Sequence, residues 1–144
     1  MSNKYNWAIL GCGNIANDFA REMNKMGGKV YSVANHTYEK AVAFAQKYGI
    51  EKVYENIEDI FIDKNVDIVY IATPHNKHIE YILKALENGK HVLCEKPITV
   101  SYELSLEMAA LAEKKGKMLN IGVCNRYQKS VEMLEEWNRE GRFG

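Results

Sequence analysis

Short apolar runs alternate along this chain with longer stretches in which apolar residues recur every three or four positions. The runs are Trp7–Leu10, Lys29–Ala34, Val53–Tyr54, Ile68–Ala72, His91–Cys94 and Met118–Val123. Most are near-continuously apolar rather than strictly alternating, the pattern expected of parallel strands covered by helices on both faces. Between them, Ile79, Ile82, Leu83 and Leu86 follow the i, i+3, i+4, i+7 spacing, and Leu104, Met108, Leu111 and Ala112 come close to it. Each set predicts a helix with one apolar face. Gly27, Gly49, Gly89, Gly116 and Gly141 each follow a helical stretch, where a left-handed residue commonly ends the helix. Thr37 and Ser101 precede two of the stretches and are placed as N-caps.

Strand–helix alternation at this pitch, joined by right-handed crossovers, predicts an α/β fold: a doubly wound, mainly parallel six-stranded sheet. The third strand is the weakest element. No internal repeat and no linker interrupts the chain before residue 124. Residues 1–123 therefore read as one domain, and 124–144 as a last crossover segment and helix.

Composition narrows the function classes. The chain has 144 residues, 47% of them hydrophobic, enough for one domain with a core that needs no disulfide or metal staple. Nineteen basic and nineteen acidic residues give a formal net charge of zero. That argues against nucleic acid and membrane surfaces as partners, since both attract a basic excess. No apolar run approaches the ~20 residues that span a bilayer, and the first residues lack the apolar stretch of a secretory signal. Cys12, Cys94 and Cys124 are odd in number and widely spaced, which suits a reducing cytoplasm.

The first strand runs into Gly11-Cys12-Gly13-Asn14-Ile15-Ala16, a GxGxxA sequence. Gly11 permits a tight turn, Gly13 lets the backbone approach a pyrophosphate, and Ala16 is small enough for close helix–strand packing. The following helix aims its free N–H groups and positive dipole end at the phosphates. A glycine-rich turn without a ligand is the plain alternative. A methyltransferase loop is another, although such loops usually carry glycine where Asn14 and Ile15 stand.

The second strand ends in Val33-Ala34-Asn35-His36-Thr37-Tyr38, and the first carboxylate after it is Glu39, already inside a helix. An acidic residue at this strand end would hold the ribose 2′-hydroxyl of NAD. Its absence, with Asn35, His36 and Thr37 as hydrogen-bonding groups, favours NADP over NAD, although no arginine is present to clamp a phosphate. The plain reading of His36 is a solvated turn residue.

The fourth strand leads into Thr73-Pro74-His75-Asn76-Lys77-His78, a loop at the carboxyl end of a central strand, where open α/β sheets bind ligands. Thr73 and Asn76 offer hydrogen bonds to a cofactor and Pro74 stiffens the turn. His75 and His78 lack a third ligand nearby, so no metal site is assigned. The plain reading of His78 is a helix N-terminal residue held by backbone, and His75 and His91 are read as plainly. The fifth strand ends in Glu95-Lys96-Pro97. On the same rim, the Lys96 ammonium can bond a substrate hydroxyl and stabilise the alkoxide that precedes hydride loss. Glu95 is placed to orient it through a salt bridge.

Taken in order, the glycine loop, the Ala72-Thr73-Pro74…His78 loop, the Ala85–Leu93 run and Glu95-Lys96-Pro97 resemble the N-terminal domain of the Gfo/Idh/MocA oxidoreductases. The Glu-Lys-Pro sequence is the specific part. The resemblance implies a dinucleotide-binding Rossmann domain and NAD(P)-dependent oxidation or reduction at a hydroxyl-bearing carbon of a small sugar- or polyol-like substrate. By position, it assigns Gly11, Gly13, Asn14 and Ile15 to the pyrophosphate, and Asn35 and His36 to the adenosine ribose. It assigns Thr73, Pro74, Asn76 and His78 to the nicotinamide ribose, and Glu95 and Lys96 to nicotinamide and substrate. Asn125 and Arg126 resemble the segment that enters the cleft.

The family's members are about twice this length or more, so the resemblance also implies a C-terminal substrate domain beyond residue 144. That domain supplies the catalytic histidine or tyrosine and the contacts of a homo-oligomer. This chain is then expected to bind dinucleotide at reduced affinity and to turn over nothing alone. The competing class is a non-catalytic dinucleotide-binding sensor, which needs the glycine loop but no lysine at the substrate rim. Both rest on residues 11–16, 73–78 and 95–97 converging along one edge.

Overall fold

The computed structural model describes residues 5–143. β1 (Trp7–Leu10) leads into α1 (Asn14–Lys25), β2 (Val30–Ala34) into α2 (Tyr38–Tyr48), and β3 (Lys52–Tyr54) into the short α3 (Asp59–Ile62). The second half repeats the scheme with β4 (Ile68–Ile71) and α4 (His78–Glu87), β5 (His91–Glu95) and α5 (Tyr102–Lys115), and β6 (Leu119–Gly122) and α6 (Lys129–Arg139). Each strand lies within about two residues of its apolar run. β3 is the shortest strand and sits at the edge of the sheet. The crossover after it holds one helical turn in place of a full helix.

The strand order is β3-β2-β1-β4-β5-β6, with every adjacent pair parallel. β1 and β4 are neighbours at the centre, and from there the chain winds outward in opposite directions. Their following loops diverge and open a crevice at the carboxyl edge of the sheet, where doubly wound folds bind ligands.

Alternate strand residues face opposite sides, and each side buries a core. On one, Ala8, Leu10, Val69, Ile71, Val92 and Cys94 pack with Ile82, Leu86 and Met108 of α4 and α5. On the other, Ile9, Val33, Tyr70 and Ala72 pack with Ala16 and Ala20 of α1 and Phe44 of α2. β4 is buried along its whole length, which explains its unbroken apolar run. α6 has no buried residue.

The Ser101 hydroxyl accepts the Leu104 N–H at 3.3 Å, as an N-cap should. Thr37 occupies the N-cap position of α2, but its hydroxyl makes no capping bond. α2 and α5 end on left-handed Gly49 and Gly116. No described helix is long and apolar enough to cross a membrane.

Candidate active site at the carboxyl edge of the sheet

β1 stops at Leu10 because Gly11 turns the chain with φ +103°, a conformation that L side chains resist. A Cβ there would stand 2.6 Å from the Ala72 carbonyl oxygen, so the loops leaving β1 and β4 meet only because this residue is glycine. Gly13, by contrast, faces open space: nothing lies within 4 Å of where its Cβ would be. It is also the N-cap of α1, and no side chain caps that helix. The first turn carries no acidic residue, so the helix presents bare N–H groups and the positive end of its dipole to the crevice.

The glycine loop is held from two sides. The Cys12 N–H donates to Asn35 Oδ1 at 3.2 Å, and the Asn17 amide donates to the Gly13 carbonyl at 2.9 Å. Asn17 Oδ1 in turn accepts from Lys47 Nζ at 2.9 Å and from the Tyr48 hydroxyl at 2.8 Å. Burial pushes the Cys12 thiol up to about 11, so it stays a neutral lining group.

The crevice is a cavity of about 680 Å³. Gly11, Cys12 and Gly13 form one wall, Asn35, His36, Thr37 and Lys40 a second, and Ala72, Thr73, Pro74 and Asn76 a third, while Ile57, Lys77 and Tyr81 complete it. The Thr73 hydroxyl oxygen is shielded from solvent and has no hydrogen-bond partner. A buried hydroxyl at a cavity wall costs free energy until a ligand satisfies it. An uncapped helix start, a wall left open by Gly13 and this orphaned hydroxyl fit a phosphate- and ribose-bearing dinucleotide.

Of the residues singled out from sequence, Gly11, Gly13, Asn35, His36, Thr73, Pro74 and Asn76 line this cavity. Asn14 and Ile15 are exposed at the start of α1, just beyond it. Asn35 turns inward: Oδ1 takes the Cys12 N–H and Nδ2 donates to the Thr37 carbonyl at 3.0 Å. Thr37, read from sequence as a hydrogen-bonding group beside Asn35 and His36, also lines the cavity, and Cys12, Lys40, Ile57, Ala72, Lys77 and Tyr81 do so without having been assigned a role. Lys40 could have been found as the cation in the first turn of the helix that follows β2. Ile57 and Tyr81 carry no local signal.

Strand register brings the third segment to the same edge. Leu10 pairs with Ile71 and Ile71 with Cys94, so Gly11, Ala72 and Glu95 leave the sheet side by side. His78 locks the two later loops together. Its ring is 1% exposed, with Nε2 2.8 Å from the Thr73 carbonyl oxygen and Nδ1 2.9 Å from that of Pro97. Carbonyls only accept, so a ring nitrogen that carries a proton donates to the carbonyl it faces, and which one does so is set by the tautomer. With both nitrogens engaged inside the protein, His78 anchors the rim and offers no free atom to a ligand. It makes no metal pair with the exposed His75. Among the described residues no group of three or more metal-ligating side chains gathers.

The salt bridge between Glu95 and Lys96 is absent. Adjacent residues at a strand end point to opposite faces: Lys96 is exposed, whereas Glu95 is buried and accepts the Tyr70 hydroxyl at 2.7 Å. The side chains of Asn125 and Arg126 lie outside the described residues.

Residues 5–123 match the pattern of an oxidoreductase family with an NAD-binding Rossmann fold. Mouse trans-1,2-dihydrobenzene-1,2-diol dehydrogenase is 37% identical over 141 residues, covering 96% of this chain and 42% of the relative. Among solved structures, the WlbA dehydrogenase of Chromobacterium violaceum, in complex with NADH and UDP-GlcNAcA, superposes with a TM-score of 0.90 at 27% identity. That match covers 100% of this chain and 42% of the other. A mutant of KijD10, a 3-ketoreductase from Actinomadura kijaniata in complex with TDP-benzene and NADP, gives 0.86 at 28% identity, covering 96% and 43%. The chain thus spans 34% to 42% of the length of the curated relatives it matches. With a parallel sheet in the 3-2-1-4-5-6 order, a glycine loop at its switch point and this match over nearly its whole length, the chain belongs to the Gfo/Idh/MocA oxidoreductases, as their NAD-binding Rossmann domain.

Proposed function

We propose that this chain is the cofactor-binding part of an NAD(P)-dependent dehydrogenase or reductase acting at the CH–OH carbon of a small sugar- or polyol-like substrate. The observation that carries this reading is the shared edge: the loops that line the cavity and the Lys96 segment leave the sheet side by side and are tied together by His78. The glycine loop and the start of α1 hold the pyrophosphate, and the Thr73 hydroxyl and Asn76 hold the nicotinamide ribose. A nicotinamide cofactor, when bound, supplies hydride transfer. Lys96 donates a hydrogen bond to the substrate oxygen and stabilises negative charge that develops there. Residues 124–144 lead toward a substrate domain, which brings the proton-shuttling residue, most substrate contacts and a homo-oligomeric interface. The free thiols suit a cytoplasmic setting.

NADP is the preferred cofactor in this reading. No carboxylate is among the residues lining the cavity, while Lys40 and His36 stand beside the end of β2 and Lys77 lies across from them. A 2′-phosphate there meets the Lys40 cation and hydrogen-bonding groups, while Lys77 is paired with Glu80 at 3.0 Å. The test is titration of this chain with NADPH and NADH by fluorescence or calorimetry. Tighter NADPH binding is expected, and a clear NADH preference overturns the assignment of His36 and Lys40. For the chemistry, a protein carrying this domain with its substrate domain should reduce NADP with a polyol and lose that activity on Lys96→Ala. Binding without any turnover across a broad polyol panel would instead identify a dinucleotide sensor.

A further inference from the structure

Lys96 is an exposed residue between two anchored neighbours. On one side, the Pro97 carbonyl is held by His78. On the other, the Glu95 side chain turns to the opposite face of the sheet and is buried, 9% exposed. Its Oε1 accepts the Tyr70 hydroxyl at 2.7 Å. The same carboxylate rests against β6, where a Cβ on Gly122 would come within 3.0 Å of Oε1, so the pocket for it exists because residue 122 is glycine.

A carboxylate removed from water needs hydrogen bonds in exchange. Tyr70 is suited to give one. It is 2% exposed in the middle of β4, and its ring stacks on Phe19 of α1 with centroids 4.1 Å apart. Burial first, and then the bond to Glu95, hold its phenol above the ordinary tyrosine range. It therefore stays protonated and a donor. The arrangement occupies Glu95 away from Lys96, which leaves the ammonium unpaired on the substrate side. It also joins α1, the helix that faces the phosphates, to the end of β5 through one aromatic ring.

We propose that Tyr70 is a positioning residue for Lys96: by pinning the Glu95 carboxylate, it fixes the end of β5 and the direction in which the lysine leaves the sheet. The inference rests on the reading of Lys96 as the residue that meets cofactor and substrate.

The test uses this chain labelled with 13C at the lysine Cε carbons, with Lys96→Arg identifying the Lys96 signal and NADPH as the probe. In the unaltered chain, NADPH moves that signal. Tyr70→Phe keeps the ring on Phe19 and removes only the hydroxyl. It should bind NADPH within about twofold of the unaltered chain, while the Lys96 displacement falls about threefold or more. Glu95→Gln retains an oxygen that accepts the Tyr70 hydroxyl and should keep the displacement. The double variant should be no worse than Tyr70→Phe alone, because both act through one bond. Full displacement in Tyr70→Phe, or its loss in Glu95→Gln, overturns the proposal. Should Tyr70→Phe not fold, Glu95→Ala carries the test with the same expected loss and the same overturning result. A Lys96 signal that stays still in the unaltered chain while NADPH binds is a different failure, since it removes the lysine assignment and the positioning role with it.

Discussion

Asn35 at the end of β2 holds the glycine loop of β1: its Oδ1 accepts the Cys12 N–H at 3.2 Å while its amide donates to the Thr37 carbonyl. One side chain thus sets the spacing between the glycine loop and the turn after β2. In the proposed dinucleotide site this makes Asn35 a residue that orders the loop rather than one that contacts the ligand. Asn35→Ala should weaken NADPH and NADH by similar factors, about threefold to tenfold, the worth of one hydrogen bond. Fluorescence titration with both cofactors checks this. Weakening confined to NADPH would mean that Asn35 meets the 2′-phosphate itself.

Lys40 makes the opposite prediction. It lies in the first turn of α2 and lines the cavity beside His36 and Thr37. A cation there acts on a 2′-phosphate and has little to act on in NADH. Lys40→Ala should cost NADPH about tenfold in affinity and leave NADH within about twofold. Added salt should reduce the difference between the two cofactors in the unaltered chain. Equal effects on both cofactors would remove Lys40 from the specificity site.

The contrast between these residues shows what the sequence could reveal. The GxGxxA turn was legible because its chemistry is local: a tight turn, an open backbone and a helix start follow one another within six positions. The doubly wound six-stranded sheet was legible because unbroken apolar runs and right-handed crossovers allow few alternatives. Tyr81 and Ile57 were not legible, since only the β3-β2-β1-β4 order brings their loops and helices to one cavity. His78 was read as held by backbone, and it is. Its second carbonyl, at Pro97, lies 19 residues along the chain. Glu95 was paired with Lys96 because they are adjacent, yet adjacency in a strand sends side chains apart. Its actual partner, Tyr70, looked like one more core residue of β4.

Beside the edge strand β3, Asp63 organises a polar cluster whose residues do not line the cavity. It is buried, with a side chain 8% exposed, and accepts from Lys52 Nζ and the Tyr54 hydroxyl, each at 2.6 Å, and from the Asn65 N–H at 2.9 Å. Burial pushes its pKa up, but these donors outweigh it and hold the carboxyl well below the usual carboxylate range. A depressed folded-state value contributes stability that is full above the unfolded value of about 4 and is lost progressively as pH falls from there through the lower folded value. Asp63→Asn should therefore destabilise by about 2 kcal/mol at neutral pH. Its midpoint in urea should approach that of the unaltered chain as pH drops toward 3. NADPH affinity should be unchanged, because none of Asp63, Lys52, Tyr54 and Asn65 lines the cavity.

His91 carries a second acid-sensitive contact, at the opposite edge of its strand from Lys96. Its Nδ1 lies 3.0 Å from the Met118 nitrogen, whose N–H donates to it, so this nitrogen must be unprotonated and the ring neutral. Burial first, and then the nearby Lys117, lower its pKa below the ordinary histidine value. The sign follows from the lowered value: above the unfolded pKa of about 6.5 the contact contributes fully. As pH falls through that value, the unfolded chain takes up the proton more readily and stability declines. Protonation also turns the acceptor into a donor facing another donor. The amide of Met118 reports this directly. Its hydrogen exchange should speed up, relative to that of Val92, as pH is lowered from about 7 to about 5, after correction for intrinsic exchange. His91→Gln, which has an acceptor oxygen that does not titrate in this range, should flatten that dependence. A dependence that survives His91→Gln would place the acid sensitivity elsewhere in the β5–β6 pair.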